Sequence, residues 1–315
     1  SVMIFPEGRR SQDGKIKRFH KGAFYLSEEL KLDISPILIH GTSYCISKHD
    51  FIIKSGTVSL LALPRIKYED RTWGDNYRSR TKSISKYFKN EYLKLVEERE
   101  DSKYLWNPLF ENYVFKGPIL EWYVRIKWKF ESKNFEYYNK LIGSRKTILD
   151  VGCGYGYLDF YLSLKNADRI ITGIDYDHEK INVAQNSLGK LESVSFVAQD
   201  IKEYKFNQYD VVILNDVLHY FSTESQKNIL NNSVRSLSEK GLLIIRDGVT
   251  NNPERHKKTA LTEFFSTKLG FNIQKESFSF FDISFITSFA EKNKLSCEII
   301  EQSKKTSNIL FILKK

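Results

Sequence analysis

The fold is decided by the stretch Ile148-Leu149-Asp150-Val151-Gly152-Cys153-Gly154-Tyr155-Gly156-Tyr157. An apolar strand runs into an acid, a glycine-rich turn follows, and Leu158–Leu164 opens a helix. Glycines at such a turn let the backbone pass under a ligand without a Cβ in the way. A nicotinamide-binding turn reads G-x-G-x-x-G. This one reads D-x-G-x-G-x-G, with Tyr157 where the third glycine would stand. Asp150 would repel a pyrophosphate, and it suits a ligand with a cationic amino-acid end.

Outward from the turn, Ile171-Thr172-Gly173-Ile174-Asp175 ends the next strand in a second acid, 19 positions beyond Gly156. A carboxylate there can accept from both hydroxyls of a ribose. Asp200, in Val197-Ala198-Gln199-Asp200-Ile201, ends a third strand and can accept from an adenine amino group. One strand-end acid alone is often only a helix cap; three at successive strand ends beside the glycine turn are not explained that way. Strands are expected at Thr147–Val151, Ile170–Ile174, Ser195–Val197, Asp210–Leu214, Leu242–Arg246, Glu298–Glu301 and Ile309–Leu313, mostly separated by helical stretches. That alternation predicts an α/β, doubly wound, mostly parallel sheet.

With the fourth-strand segment Tyr209-Asp210-Val211-Val212-Ile213-Leu214-Asn215-Asp216-Val217-Leu218-His219-Tyr220, these residues resemble class I S-adenosylmethionine-dependent methyltransferases over 146–315. The resemblance implies a Rossmann-like seven-stranded sheet with an antiparallel hairpin at its edge, and S-adenosyl-L-methionine as cofactor. Carried over residue by residue, Asp150, Gly152, Gly154 and Gly156 would hold the methionine part, Asp175 the ribose and Asp200 the adenine, with Asn215 near the sulfonium. No metal is expected: Cys45, Cys153 and Cys297 are scattered, as are the six histidines.

Methyl transfer needs an aligned nucleophile and, for a hydroxyl, a base. His219 follows the fourth strand at the cofactor end and is the candidate catalytic base; the alternative is that it packs or positions a loop. His256, in Glu254-Arg255-His256-Lys257-Lys258, reads as solvated. The Phe-rich stretch Phe264–Phe285 would line an aromatic or acyl pocket, or be core.

The front of the chain differs. Asp13-Gly14 marks a turn, Gly22–Leu32 has helical spacing, Ile34–Ile39 and Thr57–Leu63 read as strands, and Arg78–Glu100 is a long amphipathic helix. Phe5-Pro6-Glu7-Gly8-Arg9-Arg10-Ser11 with Phe19-His20-Lys21-Gly22-Ala23-Phe24 resembles the third block of lysophospholipid-type acyltransferases, departing from it at Arg9; Ser35-Pro36-Ile37-Leu38-Ile39-His40-Gly41 resembles the fourth. Glu7, Gly8, Arg10 and Ser11 would then be what remains of an acceptor site. The H-x-x-x-x-D block of that family would lie upstream, so residues 1–101 are expected to be a truncated acyltransferase, inactive alone and continuing an upstream part of the same polypeptide. An acyltransferase followed by a methyltransferase resembles the fusions of aryl polyene and flexirubin-type pigment clusters, which implies an aromatic hydroxyl of a polyene or aryl lipid as acceptor.

Between the two parts, a polar break at Asp101–Ser102 opens a connecting region, 102–145, rich in aromatics and cations. Pro118 suits a helix start, and Trp122, Ile126 and Phe130 fall four apart, as do Tyr123 and Lys127. Such a helix caps the neighbouring domain or lies at a membrane interface.

The chain has 315 residues, a net charge of +10, 41% hydrophobic and 28% charged residues. That excludes a collagen-like or low-complexity chain and predicts about two domains. The charge is uneven: residues 1–147 hold 28 Lys and Arg against 18 Asp and Glu, residues 148–315 hold 21 against 21. A basic front suits an anionic membrane surface, a nucleic acid or phosphorylated substrates, unless it is only solvated. Nucleic acid is disfavoured because Asn215-Asp216-Val217-Leu218 stands where an N/D-P-P-Y segment would be. The free cysteines, the lack of a signal peptide and of any long apolar run favour a cytoplasmic chain at the inner face of the membrane. The competing reading is a lipid-binding or acyltransferase module for which the methyltransferase-like part is only a scaffold.

Overall fold

In the computed structural model, residues 2–11, 14–46, 53–187, 192–251, 278–301 and 307–315 are described. Asp13 of the first turn signal, His256 and the first part of the Phe-rich stretch lie outside them. The chain divides into two compact units, Ser1–Pro108 and Leu109–Lys315. The polar break at Asp101–Ser102 falls within the first of these.

The first unit contains α1 (Gly22–Glu29), β1 (Ile37–His40), α2 (Thr42–Cys45), β2 (Ser59–Ala62) and α3 (Tyr77–Arg99). β1 and β2 pair antiparallel, and Phe19, Phe24, Leu38, Ile66, Ile84, Phe88 and Leu95 form one core. α3 starts where Asn76 accepts from the backbone N–H groups of Arg78 and Ser79 while the Ser79 hydroxyl takes the Asn76 N–H, a reciprocal cap.

After α4 (Trp106–Phe110), the second unit contains α5 (Pro118–Ile142), β3 (Thr147–Val151), α6 (Tyr157–Lys165), β4 (Ile170–Asp175), α7 (His178–Gln185), β5 (Val194–Ala198), β6 (Tyr209–Asn215), α8 (Thr223–Ser236), β7 (Leu237–Gly248), α9 (Ile283–Lys292), β8 (Ser296–Glu301) and β9 (Asn308–Lys314). Its sheet has seven strands in the order β5-β4-β3-β6-β7-β9-β8. The first five strands in sequence run parallel, and β9 enters antiparallel between β7 and β8. Every expected strand is present, and the expected fold, a doubly wound, mostly parallel α/β sheet, is the one observed. Central strands covered on both faces must be apolar almost throughout, and β6 and β7 are buried over most of their length.

Strand order reverses between β3 and β6. Ligands of open α/β sheets bind in the crevice outside the carboxyl ends of the strands at such a switch point. The loops leaving β3 and β6 are the glycine turn and the Asp216–Phe221 segment. α5 is anchored to the same unit: the buried Arg169 donates to Asn139 Oδ1 at 2.7 Å, to the Leu162 carbonyl at 2.9 Å and to the Gly143 carbonyl at 3.1 Å.

Of the helix expected either to cap this domain or to lie at a membrane interface, Trp122 and Phe130 point outward. Trp122 and Phe130 are 55% and 69% exposed, whereas Leu120, Val124, Phe135, Tyr138 and Ile142 are buried. A four-residue repeat identifies one helix face but not which way it points; the inner face here mixes aliphatic and aromatic residues. The described part of the Phe-rich stretch packs inward, Phe281 in the core and Phe285 against it.

Candidate functional site

At the switch point lies a cavity whose wall includes Asp150, Gly152, Gly154, Asp175, Asp200 and Asn215. Six of the expected cofactor residues thus come together. Gly156 does not line it. A Cβ there would lie 2.5 Å from the Phe196 ring, and its φ is +77°; the missing side chain serves close packing of α6 on β5. Gly154 differs: a Cβ built on it meets only Lys180 Cδ, at 3.9 Å, so its missing side chain leaves open space in the cavity.

Asp175 is fixed from both sides. Its Oδ2 accepts from the Gly154 N–H and its Oδ1 from the Asp177 N–H, each at 2.9 Å. Each carboxylate oxygen keeps a second lone pair. Burial raises the Asp175 pKa above the usual range, against Lys180 and the two N–H groups. Asp150 is deeper. Burial pushes it up to about 7, a neighbouring Asp159 partly offsets the rise and the Asp175 charge adds to it. Asp159, buried on α6, lies well above the carboxylate range, first through burial and then through the Asp150 charge. A cavity with these acids favours a cationic ligand group that can return Asp150 to its charged form.

The far wall comes from α5, where Tyr123, Lys127, Glu131 and Phe135 follow one another every four residues along the cavity. Behind them, Arg246 on β7 pairs with Asp216 and, at 3.3 Å, with Glu131. Asn308 Nδ2 donates to Asp216 Oδ1 at 3.1 Å, and the Tyr138 hydroxyl donates to Asn215 Oδ1 at 2.8 Å. Asp216 has a φ of +53°, uncommon outside glycine. Burial raises its carboxyl to about 6, with Arg246 pulling it back. Burial also acts against ionised Glu131, but Arg246 and Lys127 prevail and lower its pKa.

Sequence reasoning missed this network. The Tyr123–Lys127 spacing, continued by two steps, would have reached Glu131 and Phe135. Nothing local couples Arg246 to Asp216.

His219 is elsewhere. It is 2% exposed and does not line the cavity. Its Nδ1 lies 2.6 Å from Asp247 Oδ1, and its backbone N–H donates to Asp247 Oδ2 at 3.2 Å. Its ring stacks on Phe280 at 5.0 Å and lies 4.2 Å from Tyr220, which does line the cavity. A general base must reach the acceptor proton directly or through one water; the described residues leave a buried His–Asp pair behind the cavity wall. In the first unit, Glu7 accepts from the Lys17 N–H at 2.7 Å, and Gly8 and Arg10 are exposed beside Ser11. Among the described residues no cluster of His, Cys, Asp and Glu suits a metal ion.

Residues 142–308 match a family model described as a methyltransferase domain, and residues 1–40 match one described as an acyltransferase. A malonyl-[acyl-carrier protein] O-methyltransferase of Acetivibrio thermocellus is 39% identical over 101 residues, 32% of this chain and 35% of that protein. A 1-acyl-sn-glycerol-3-phosphate acyltransferase of Limnanthes douglasii is 35% identical over 72 residues, 23% of this chain and 26% of that one. The chain thus spans about a third of the length of the first and about a quarter of the second. Among solved structures, the N-methyltransferase NodS of Bradyrhizobium japonicum WM9 in complex with S-adenosyl-L-homocysteine aligns with a TM-score of 0.42 and 16% identity, over 58% of this chain and 84% of that one.

Proposed function

The chain belongs to the family of methyltransferase domains, matched over residues 142–308, and on that premise we propose that it transfers a methyl group from S-adenosylmethionine to a small-molecule or lipid-like acceptor. The observation that carries this reading is the convergence of Asp150, Gly154, Asp175, Asp200 and Asn215, from four successive parallel strands, on one cavity at the switch point. When bound, the cofactor supplies an electrophilic methyl group on a sulfonium. Asp150 with Gly152 and Gly154 would hold its amino-acid end, Asp175 its ribose hydroxyls and Asp200 its adenine. Asn215, oriented by the Tyr138 hydroxyl, would line the reacting end.

For the acceptor we propose an aromatic hydroxyl of a polyene or aryl lipid, delivered at an anionic membrane surface. The aromatic lining from Tyr123, Phe135, Tyr157 and Tyr220 supports that class. Alignment contributes most of the catalysis, and the His219–Asp247 pair acts as a positioning unit that holds Tyr220 in the wall. The match of residues 1–40 to acyltransferases supports assigning Glu7, Gly8, Arg10 and Ser11 to a second, phosphate-bearing acceptor.

Calorimetric titration with S-adenosylhomocysteine tests the reading. Binding is expected, and Asp175→Ala weakens it about tenfold or more, since each charge-assisted hydrogen bond contributes about 1.5–3 kcal/mol. Preference for NAD over S-adenosylhomocysteine overturns it.

A further inference from the structure

Apolar side chains stand out on one face of α5. Phe115, just before the helix, is 91% exposed, and Ile119 is 70% exposed. With Trp122 and Phe130 they make four of the six large hydrophobic residues exposed in the second unit among the described residues, the others being Ile170 and Ile299. Phe115 has a φ of +65°, a conformation that is strained for a bulky residue. Its N–H donates to Glu121 Oε1 at 3.2 Å. The turn thus holds an aromatic ring out in water.

At about 100° per residue, Ile119, Trp122, Ile126 and Phe130 fall on one arc of α5. Lys129, Lys133 and Lys140 fall on the same arc and are exposed. Of the helix's acids, Glu121 and Glu131 lie well outside it and Glu136 borders its lysine edge. Aromatic and aliphatic side chains flanked by lysines on a helix that is otherwise packed on its domain match a bilayer surface: apolar groups reach the acyl boundary and ammonium groups reach phosphates. Among the described residues no helix is long and apolar enough to cross a membrane, so this face would lie on the surface. Tyr123, one turn beyond Ile119, borders the arc and begins the stripe that lines the cavity.

We propose that the outer face of α5 docks on an anionic lipid surface, with Phe115, Ile119, Trp122 and Phe130 in the headgroup–acyl boundary and Lys129, Lys133 and Lys140 on the headgroups. This deepens the lipid-acceptor reading and rests on it for its purpose: the docked face borders the cavity wall, so an apolar acceptor enters from the bilayer.

The test is co-sedimentation of the full chain with vesicles of phosphatidylcholine alone or equimolar with phosphatidylglycerol, beside S-adenosylhomocysteine titration of each variant. The wild type pellets with anionic vesicles only, and less as salt rises. Trp122→Ser with Phe130→Ser weakens vesicle binding about tenfold or more. Lys129→Gln with Lys133→Gln weakens it about 25-fold, about fivefold per charge removed. Ile170→Ser, equally exposed on β4, leaves it unchanged. Cofactor affinity is the same in all of them. Docking is overturned by equal pelleting with neutral vesicles, by indifference to both α5 pairs, or by a dimer that these pairs abolish without any vesicle binding. Vesicle binding without S-adenosylhomocysteine binding instead overturns methyl transfer and leaves docking standing.

Discussion

Replacing Arg246 with Met is the sharpest probe of the cavity's back wall. The guanidinium is nearly buried and pairs with two carboxylates, Asp216 and Glu131, that both line the cavity. Burial acts against it, but these carboxylates hold it firmly charged. Met fills most of the volume without charge. Two carboxylates then remain buried without their cation, a change that costs about 3–5 kcal/mol. For a unit of this size that lowers Tm by roughly 6–20 °C. The loss depends on pH. Asp216 already titrates at about 6 with Arg246 in place, above the free value of about 3.9, and rises further without it, while Glu131 loses the main charge that holds its pKa down. A carboxyl whose folded pKa is raised destabilises progressively as pH increases through that pKa. Thermal unfolding followed by circular dichroism should therefore show a larger loss at roughly pH 8 than at roughly pH 5, where Asp216 is already protonated. An equal loss at both pH values, or one below about 1 kcal/mol, would refute the idea that Arg246 exists to hold these two charges.

Gly156→Ala should lower stability by more than about 1 kcal/mol, because φ is +77° and the added methyl meets Phe196; chemical denaturation with an unchanged midpoint would show that α6 shifts freely. Since Asp150 titrates at about 7 and a cationic ligand group favours its ionised form, S-adenosylhomocysteine affinity should rise with pH toward about 7 and level off above it, with proton release on binding; titrations in buffers of different ionisation heat measure this. His219→Ala should cost about 2–4 kcal/mol of stability through the stranded Asp247, while turnover on a phenolic acceptor, measured well below Tm, falls less than about tenfold. A loss beyond about a hundredfold with stability intact would make His219 the base.

What sequence made legible was local or periodic. Ile148–Gly156 reads as strand and turn because buried parallel strands are apolar runs and the turn requires glycine, and the acids at 175 and 200 sit at predictable distances from it. The direction of the outer stripe of α5 stays open in the sequence between a cap and a membrane interface, because the spacing of Trp122, Ile126 and Phe130 marks one face without showing which way it points. His219 carried the right intrinsic chemistry, but its depth depends on Phe280 and Asp247, which are distant in sequence. The Arg246–Asp216–Glu131 cluster joins β7, the loop after β6 and α5, and no spacing rule spans those separations. Domain-level charge placed the basic surplus in residues 1–147, and the three lysines of the proposed docking face, Lys129, Lys133 and Lys140, belong to it.

β9 follows every other strand in sequence and still occupies an interior place, between β7 and β8, with Asn308 at its start bonded to Asp216. During vectorial synthesis the five parallel strands can pair as they emerge, but β7 must wait with one bare edge until β9 arrives. Nascent chains therefore pass through a stage in which a long apolar strand is unshielded and Asp216 lacks one of its partners. A holding chaperone would protect that stage, a pause in translation before β8 would prolong it, and a cleavage between β7 and β8 would detach the β8–β9 pair and leave the β7 edge bare again.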